Sequence, residues 1–480
     1  MANDLVLFFS AIISFFAVHW IFLRVLKIAK VKGLVDKPNA RKLQENPVPV
    51  LGGIAVFFGF VCGVLTFFAL LHAKDVISCN MTNNALVLIL VGCVMLYVGS
   101  LDDIMGLTPK TRIIIEVLAI LILIYNSGMC IDSLHGLLGI DKFSWWIGIP
   151  LTVFACIGII NAYNMVDGVN GLSSGLCITS LCVLSCIFWK RWDYANSVIA
   201  LCFAASLVPF LVHNVFGKKS KMYIGDAGTM VIGLLVSWFV IKVLSSKNEL
   251  ISSIKDNDDL TLGLVAMMLA VSCVPVFDTL RVMITRILNG KSPFRPDKTH
   301  LHHVFIACGV SHSITSLVEI CINLFIVMCW YIGYRLGASV DVQFYIVVLL
   351  SMILVWGTYK NMNRLYQKHK DTLPMRWAQK THLGHTRLWL RFQRWLDKGA
   401  FEDYLQIYQD KENLSAKAKD TIAIIKLLQE RERMTIDDIV RESGVERLRI
   451  YSIVTELEGK GVVEVLTRKD FGAPKKVKMC

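Results

Sequence analysis

The chain has 480 residues, of which 55% are hydrophobic and only 18% charged, with a mean hydropathy of +0.56 and a formal net charge of +13. That balance lies outside the usual soluble range and excludes a fold that lives wholly in water.

A membrane span needs about 20 mostly apolar residues. Eleven such stretches lie near 4–26, 49–71, 85–101, 113–127, 145–163, 172–189, 195–213, 228–246, 261–280, 314–335 and 341–358. Lipid offers no partner for backbone N–H and C=O groups, so each span must be a helix. The predicted fold class is an all-α polytopic membrane protein with about eleven transmembrane helices, followed by a small cytoplasmic winged-helix-like domain. The first stretch lacks the charged start and small-residue cleavage site of a signal peptide and reads as a retained span. Cations of short loops mark the cytoplasmic side. They are Lys27, Lys30, Lys32, Lys37, Arg41 and Lys42, then Lys218, Lys219 and Lys221, then Arg281, Arg286, Lys291, Arg295 and Lys298. The alternate loops are poorer in them, with Lys190 and Arg191 an exception on the outer side. An odd number of spans then puts the N-terminus outside and the C-terminus in the cytoplasm, with the protein in the inner (plasma) membrane. The 14 cysteines lie mostly in apolar segments without paired metal-ligand spacing and read as packing residues.

The long apolar runs stop near residue 360, and the tail holds half of the 50 lysines and arginines. Three segments are predicted: a membrane core over 1–360, a basic and aromatic linker over 361–412, and a compact domain over 413–480. Within the linker, Arg387, Leu388, Trp389, Leu390, Arg391, Phe392, Arg394 and Trp395 fit an amphipathic helix lying on the anionic inner leaflet, or an ordinary helix packed on the tail domain. In the compact domain "AKDTIAIIKLLQERE" has helical spacing, Thr435 caps a second helix "IDDIVRES", and Gly444 turns the chain. A third helix follows with an apolar face of Leu448, Ile450, Ile453, Val454 and Leu457, and "VVEVL" and "KKVKM" read as two strands around a wing. Such a module takes a DNA or a protein partner. Glu446, Glu456 and Glu458 give the third helix a mixed charge that suits a protein partner at least as well.

Polar clusters sit at the cytoplasmic ends of spans. "GSLDDIMGLTPKTR" carries Asp102, Asp103 and Arg112, and "NAYNMVDGVNGL" carries Asn161, Asn164 and Asp167. "KMYIGDAGTM" carries Asp226, followed by Gly228, and "FRPDKTHLHHVF" carries Arg295, Lys298, His300, His302 and His303. Taken singly, each has a plain reading as a solvated helix end or a cap, and "HLHH" without thiolates is a poor zinc site. Together they combine hard oxygen donors suited to Mg²⁺ with cations suited to phosphate oxygens. Glycines beside helix starts would let backbone N–H groups approach a diphosphate. The combination points to phosphoryl chemistry between a soluble nucleotide compound and a lipid.

The motifs "DKPNARK" (36–42), "GG" (52–53), "DD" (102–103), "NAYNMVDGVNG" (161–171), "GDAG" (225–228), "PVFDT" (275–279) and "RPDKTHLHH" (295–303) follow one another in a known order. In this the chain resembles the polyprenyl-phosphate N-acetylhexosamine-1-phosphate transferases over about residues 1–358. The related phospho-MurNAc-pentapeptide translocases share several of these motifs but usually carry three consecutive histidines. The resemblance implies Mg²⁺-dependent transfer of a sugar-1-phosphate from a UDP-sugar to undecaprenyl phosphate in the bilayer, releasing UMP and initiating a cell-envelope polysaccharide. It implies Asn164 and Asp226 as metal ligands, and Asp102, Asp103 and Asp167 as the catalytic carboxylates, the first two beside the lipid phosphate. Arg112, Asn161, Arg295, His300, His302 and His303 would bind substrate. The chain departs from the pattern at Gln44, Arg112, Glu116 and Asn170, where the family often has His, Lys, Gln and Asp. A self-associating oligomer is compatible with all of this. A transporter would place its polar groups at the bilayer midplane, and a membrane-tethered regulator would leave the four polar motifs idle.

Overall fold

Apolar stretches in lipid have one local solution, and the chain takes it: nearly all of its described membrane-length segments are α-helices. The computed structural model describes residues 2–36, 48–72, 79–247, 262–293, 298–367, 389–393, 395–397, 416–431, 433–459, 462–468 and 474–479. The helices of the apolar region are α1 (Ala2–Lys32), α2 (Gly52–His72), α3 (Cys79–Met105), α4 (Pro109–Ser127), α5 (Trp145–Val166), α6 (Leu172–Lys190), α7 (Tyr194–Phe216) and α8 (Gly225–Leu244). They continue with α9 (Leu264–Val271), α10 (Cys273–Leu288), α11 (Leu301–Ala307), α12 (His312–Arg335), α13 (Val340–Ser351) and, after a π-helical stretch at Met352–Trp356, α14 (Gly357–Gln367).

Among the described residues nine helices are long and apolar enough to cross a membrane, or ten when α9 and α10 count as one bent span. The count differs from the eleven stretches read above at α4, whose first two turns carry Lys110, Arg112 and Glu116. The molecule is a predominantly helical multi-pass membrane protein. Two compact units divide the chain: Met1–Ile21, Gly52–Val215 and Ile224–Leu383 in one; Phe22–Leu51, Phe216–Tyr223 and Gly384–Cys480 in the other.

In the first unit α8 is the central helix, buried at every position from Ala227 to Leu244. Its N-terminal end is gripped by backbone. A Cβ on Gly53 would lie 2.5 Å from the Gly228 nitrogen, and one on Gly99 would lie 2.4 Å from the Ala227 Cα. Only glycine lets α2 and α3 come this close, and the Gly53 N–H donates to the Ile224 carbonyl at 2.9 Å. The "GG" and "GS" signatures are thus packing devices that seat the first turn of α8.

Helices α9 and α10 meet at 82°. Pro275 on the third residue of α10 cannot donate and its ring crowds the carbonyl of residue 271, so the helix breaks there. The freed groups are satisfied by side chains: Asn323 Nδ2 and the Ser180 hydroxyl donate to the Val271 carbonyl, and the Val274 N–H donates to Asn323 Oδ1 at 3.2 Å. Such repair is what lipid demands of a broken helix.

In the second unit, β1 (Val35–Asp36) and β2 (Val48–Pro49) pair antiparallel. Helical residues 389–393 and 395–397 lie against the loop 216–223. The Phe216 ring meets Trp389 at 4.7 Å and Phe392 at 5.5 Å between centroids. The Asp397 carboxylate accepts from the Ser220 N–H and hydroxyl, both at 2.8 Å, and from the Lys218 N–H at 3.2 Å. Trp389 and Phe392 thus meet Phe216, a contact that neither reading of this aromatic segment named; Arg387, Leu388 and Arg394 fall outside the described residues.

The C-terminal part holds α15 (Ala416–Arg431), α16 (Ile436–Ser443) and α17 (Arg447–Gly459) with β3 (Arg433–Thr435), β4 (Val463–Arg468) and β5 (Pro474–Met479), in sheet order β3-β5-β4. Thr435 caps α16 by accepting from the Asp438 N–H at 3.2 Å, and Gly444 closes it at φ 67°. Ile424, Leu428, Ile439, Ile453 and Val477 form the buried core. Two corrections follow. The sheet has a third strand, β3, too short to show as an apolar run. Leu448, expected on the apolar face, is 71% exposed because it lies one residue past the start of α17, on the side away from Ile450.

Candidate active site

The two aspartates at the end of α3 divide their labour. Asp103 accepts from the N–H groups of Asp226 (2.9 Å) and Ala227 (3.2 Å), one carboxylate oxygen to each. It is the cap of α8, a negative charge on a positive helix end. Asp102 closes the turn after α3 by accepting from the Leu107 N–H at 2.7 Å, and its other oxygen lies 3.5 Å from the Arg112 guanidinium. The expectation that glycines at this helix start free its N–H groups for a diphosphate is therefore corrected. Asp103 occupies those donors, and Gly228 serves the contact with Gly53.

Arg112, one turn into α4, is fixed by Glu116, whose Oε1 accepts from its Nε at 3.0 Å. Glu116 Oε2 accepts from the Asn161 amide at 3.2 Å, and that amide also donates to the Ile157 carbonyl at 2.9 Å. The guanidinium reaches to 3.8 Å from Asp226, and its buried NH2 group has no hydrogen-bond partner among the described residues. A fixed cation with an unused donor, facing two aspartates, is a ready partner for a phosphate oxygen.

Asp226 is the most open of the acids in the group, with 36% of its side chain exposed against 13% for Asp102. The Asn164 amide nitrogen donates to Asp226 Oδ1 and, at 2.8 Å, to the Thr229 hydroxyl. Asp167, just past the end of α5, accepts from the Ser173 hydroxyl at 2.5 Å. Burial pushes the Asp167 carboxyl up to about 6; the Ser173 hydroxyl acts in the opposite direction, and the nearby Asp226 charge adds to the rise.

The loop after Asp167 joins this group to the histidines. A Cβ on Gly168 would sit 2.5 Å from His302 Nε2, so a glycine there lets the loop lie on the imidazole. The Asn170 N–H donates to His312 Nδ1 at 3.4 Å, the Ser316 hydroxyl donates to the Asn170 carbonyl at 2.7 Å, and the Gly171 N–H donates to Asn214 Oδ1 at 2.7 Å. Asn170, a departure from the family pattern, is held here through its backbone.

Asp278, buried in α10, organises the histidine loop. Its carboxylate takes the Arg281 guanidinium at 2.7 Å, meets His300 Nδ1 at 2.9 Å and accepts from the Leu301 N–H at 3.2 Å. Arg281 also lies 3.6 Å over the Tyr359 ring and donates to the Thr299 carbonyl at 2.7 Å. His302 and His303 rings are 4.3 Å apart. Burial holds the His302 imidazole well below the usual pKa, so it is neutral near pH 7 and offers a hydrogen bond rather than a positive charge. Neither of its nitrogens has a partner among the described residues. Arg295 lies outside the described residues, as does Gln44.

The structure thus brings Asp102, Asp103, Arg112, Asn161, Asn164, Asp167 and Asp226 into one group, and Gly168 links that group to His302. Sequence reasoning gave no role to Asp278, Ser173, Thr229 or Asn214. Asp278 stood within the quoted "PVFDT" string, a buried carboxylate in an apolar helix, and that was a usable signal; the other three carried none.

Comparison with known proteins gives two families on one chain. The profile of Glycosyl transferase family 4 matches residues 85–244, from within α3 to the end of α8. The profile of the sugar-specific transcriptional regulator TrmB matches residues 418–480. The undecaprenyl-phosphate alpha-N-acetylglucosaminyl 1-phosphate transferase of Escherichia coli (strain K12) is 32% identical over 294 residues, which cover 59% of this chain and 72% of the relative. The probable undecaprenyl-phosphate N-acetylglucosaminyl 1-phosphate transferase of Bacillus subtilis (strain 168) is 29% identical over 334 residues, 69% of this chain and 83% of that one. The corresponding transferase of Yersinia pestis is 28% identical over 354 residues, 72% and 89% of the two chains.

Proposed function

The chain belongs to the polyprenyl-phosphate N-acetylhexosamine-1-phosphate transferases of glycosyl transferase family 4, membrane phosphotransferases, and from that premise we propose the reaction it runs. It transfers an N-acetylhexosamine-1-phosphate from a UDP-sugar to undecaprenyl phosphate, releasing UMP and initiating a cell-envelope polysaccharide. The observation that carries this reading is the convergence of Asp226, Asn164, Asp167 and the unsatisfied Arg112 guanidinium at the N-terminal end of α8.

An oxygen of the lipid phosphate attacks the sugar-bearing phosphorus, forming one P–O bond. The bond from that phosphorus to the bridging oxygen breaks, and UMP leaves with that oxygen. Two anions must meet, so cancelling repulsion is the main task. Arg112 holds one phosphate through its free donor, and Glu116 and Asp102 hold Arg112. Asp103 fixes the first turn of α8 and thereby Asp226, which makes it a positioning residue. Asp167 in its ionised form would add a negative oxygen beside Asp226 on the side of the cation, and so act on the phosphates only through that charge. His302 gives a neutral hydrogen bond to the nucleotide part, with His300 set by Asp278.

The donor set fits Mg²⁺: oxygen atoms, one open carboxylate, and no group of three or more His, Cys, Asp or Glu side chains among the described residues that would hold a metal unaided. Mg²⁺ keeps waters and takes further ligands from substrate phosphates. Asp226 would hold it, and Asn164 would do so through its oxygen once its amide turns from the present contact. When bound, the ion would neutralise diphosphate charge.

The spans number eleven on this reading, with α4 counted as one and α9 and α10 as one. The catalytic end faces the cytoplasm of the inner membrane, where UDP-sugars are found. The core covers 1–360, the linker 361–412 and a winged-helix module 413–480; three helices, a three-stranded sheet and the TrmB match support the last. Arg431, Arg441, Arg447 and Arg449 each pair with a carboxylate (Glu442, Asp438, Asp437 and Asp420), which leaves less free charge for phosphates and favours a protein partner over DNA. The test is incubation of membranes carrying the full chain with undecaprenyl phosphate and a panel of labelled UDP-sugars. Release of UMP and a labelled lipid diphosphate from one N-acetylhexosamine donor is expected; no lipid product from any such donor overturns the reading.

A further inference from the structure

Helices α6 and α12 run side by side from the catalytic end. Asn170, two residues before α6, is tied to the start of α12, where His312 and Ser316 bond it and Ile320 fills the space beside Gly175. Their far ends carry Lys190 and Arg335. At 1.5 Å per residue, the 19 residues of α6 put Lys190 about 28 Å from the loop that follows Asp167. These cations therefore stand at the opposite membrane face, where an excess of Lys and Arg is unusual.

Between these ends lies a groove of about 730 Å³ whose lining includes Cys186, Ile187, Lys190, Trp330, Tyr331 and Arg335. That size is in the range of small-molecule sites. Three further observations point to an occupant. Trp330 is 2% exposed, and its indole N–H has no partner among the described residues. A buried donor without an acceptor is costly and marks a missing group. Lys190 and Arg335 have no carboxylate partner among the described residues. Among the described residues the nearby acids are engaged elsewhere: Asp193 with Asn196 at 2.8 Å and Asp4 with the Trp189 indole at 2.8 Å. Apart from Arg191, the remaining lining is largely apolar, so the occupant combines an anion with a hydrocarbon chain.

We propose that this groove binds an anionic glycerophospholipid of the leaflet opposite the transferase site, its phosphodiester held by Lys190 and Arg335 and an acyl chain lying along α6 and α12. The Trp330 N–H is placed for an ester oxygen. The lipid substrate of the transferase reacts at the other face, so the occupant is a resident lipid rather than the acceptor. Two cations near an anionic headgroup set a preference over a zwitterionic lipid of roughly thirtyfold.

The test uses the full chain in neutral detergent with phosphatidylglycerol carrying a photoactivatable acyl chain, and with the matched phosphatidylcholine. Peptide mapping is expected to put the phosphatidylglycerol label on residues 182–191 and 324–335, with competition by unlabelled phosphatidylglycerol and little by phosphatidylcholine. The double substitution Lys190→Gln with Arg335→Gln is expected to lose most of that label while the protein stays monodisperse. Trp330→Phe, which removes only the N–H, is expected to weaken it several-fold. Equal labelling by both lipids, label confined to other peptides, or full label on the double variant overturns the proposal. So does efficient Cys186–Cys186 crosslinking between two copies in place of lipid label, which would make the groove a dimer interface.

Discussion

Asp397 lies far from every catalytic motif in sequence, yet its carboxylate receives two hydrogen bonds from Ser220 and one from Lys218. The loop so held, 216–223, runs directly into Gly225 and Asp226. In Asp397→Ala the Ser220 N–H and hydroxyl, at 0% exposure, lose their acceptor, whereas exposed Lys218 can turn to water. One buried donor left unpaired costs about 1–3 kcal/mol, and the net loss of the second bond adds about 1 kcal/mol, so the docked loop loses about 2–4 kcal/mol. That is roughly a thirty- to thousandfold shift in the docking equilibrium. Small displacements of a positioned group are expensive in rate, so UDP-sugar transfer is expected to fall about tenfold or more. Hydrogen exchange of 216–224 should accelerate in step, while the spans remain protected. Asp397→Asn, which keeps one acceptor oxygen, should fall between. A chain ending at residue 370 removes the same carboxylate and should behave like Asp397→Ala. If both variants transfer at the full-length rate with unchanged exchange in the loop, the tail is an independent module, and this reasoning fails.

Asp226→Asn is expected to abolish Mg²⁺-dependent transfer while the protein inserts and purifies normally; near-normal rates would remove Asp226 as a ligand. With Asp167 raised to about 6 by burial, transfer should climb as pH rises through about 6. Between its unfolded value and about 6 the folded chain holds the extra proton, so this group adds stability as pH falls, and activity lost at pH 5 through Asp167 does not come from unfolding driven by that group. Ser173→Ala removes the bond that lowers this pKa and should move the inflection upward, a shift that titration of the lipid phosphate alone would not produce. His302→Ala should raise the KM for UDP-sugar more than it lowers kcat; restoration by added zinc would overturn the metal-free reading of "HLHH". Gly53→Ala places a methyl 2.5 Å from the Gly228 nitrogen and should cost at least a hundredfold in turnover through displacement of Asp226, an outcome checked against Gly59→Ala, which also clashes, but far from the site.

Length, composition and apolar run spacing were sufficient for a helical multi-pass protein, because lipid permits a segment only one way to satisfy its backbone. The same local logic located Thr435 as a cap and Gly444 as a stop, since both depend on neighbours within a few residues. The resemblance named candidate site residues, and of these Asp102, Arg112, Asn164, Asp167 and Asp226 lie together in the fold. What each one touches was decided by tertiary structure. Asp102 and Asp103 look alike in sequence, but one turns to Arg112 and the other caps α8, because Gly53 and Gly99 admit α8 at a distance no other residue allows. His302 is read as a cation from composition and is held neutral by burial, with the neighbouring histidines acting in the same direction. Asp397 has no periodicity or motif to mark it; its partners are 177 and 179 residues away, and a contact of that separation exists only once the chain has folded.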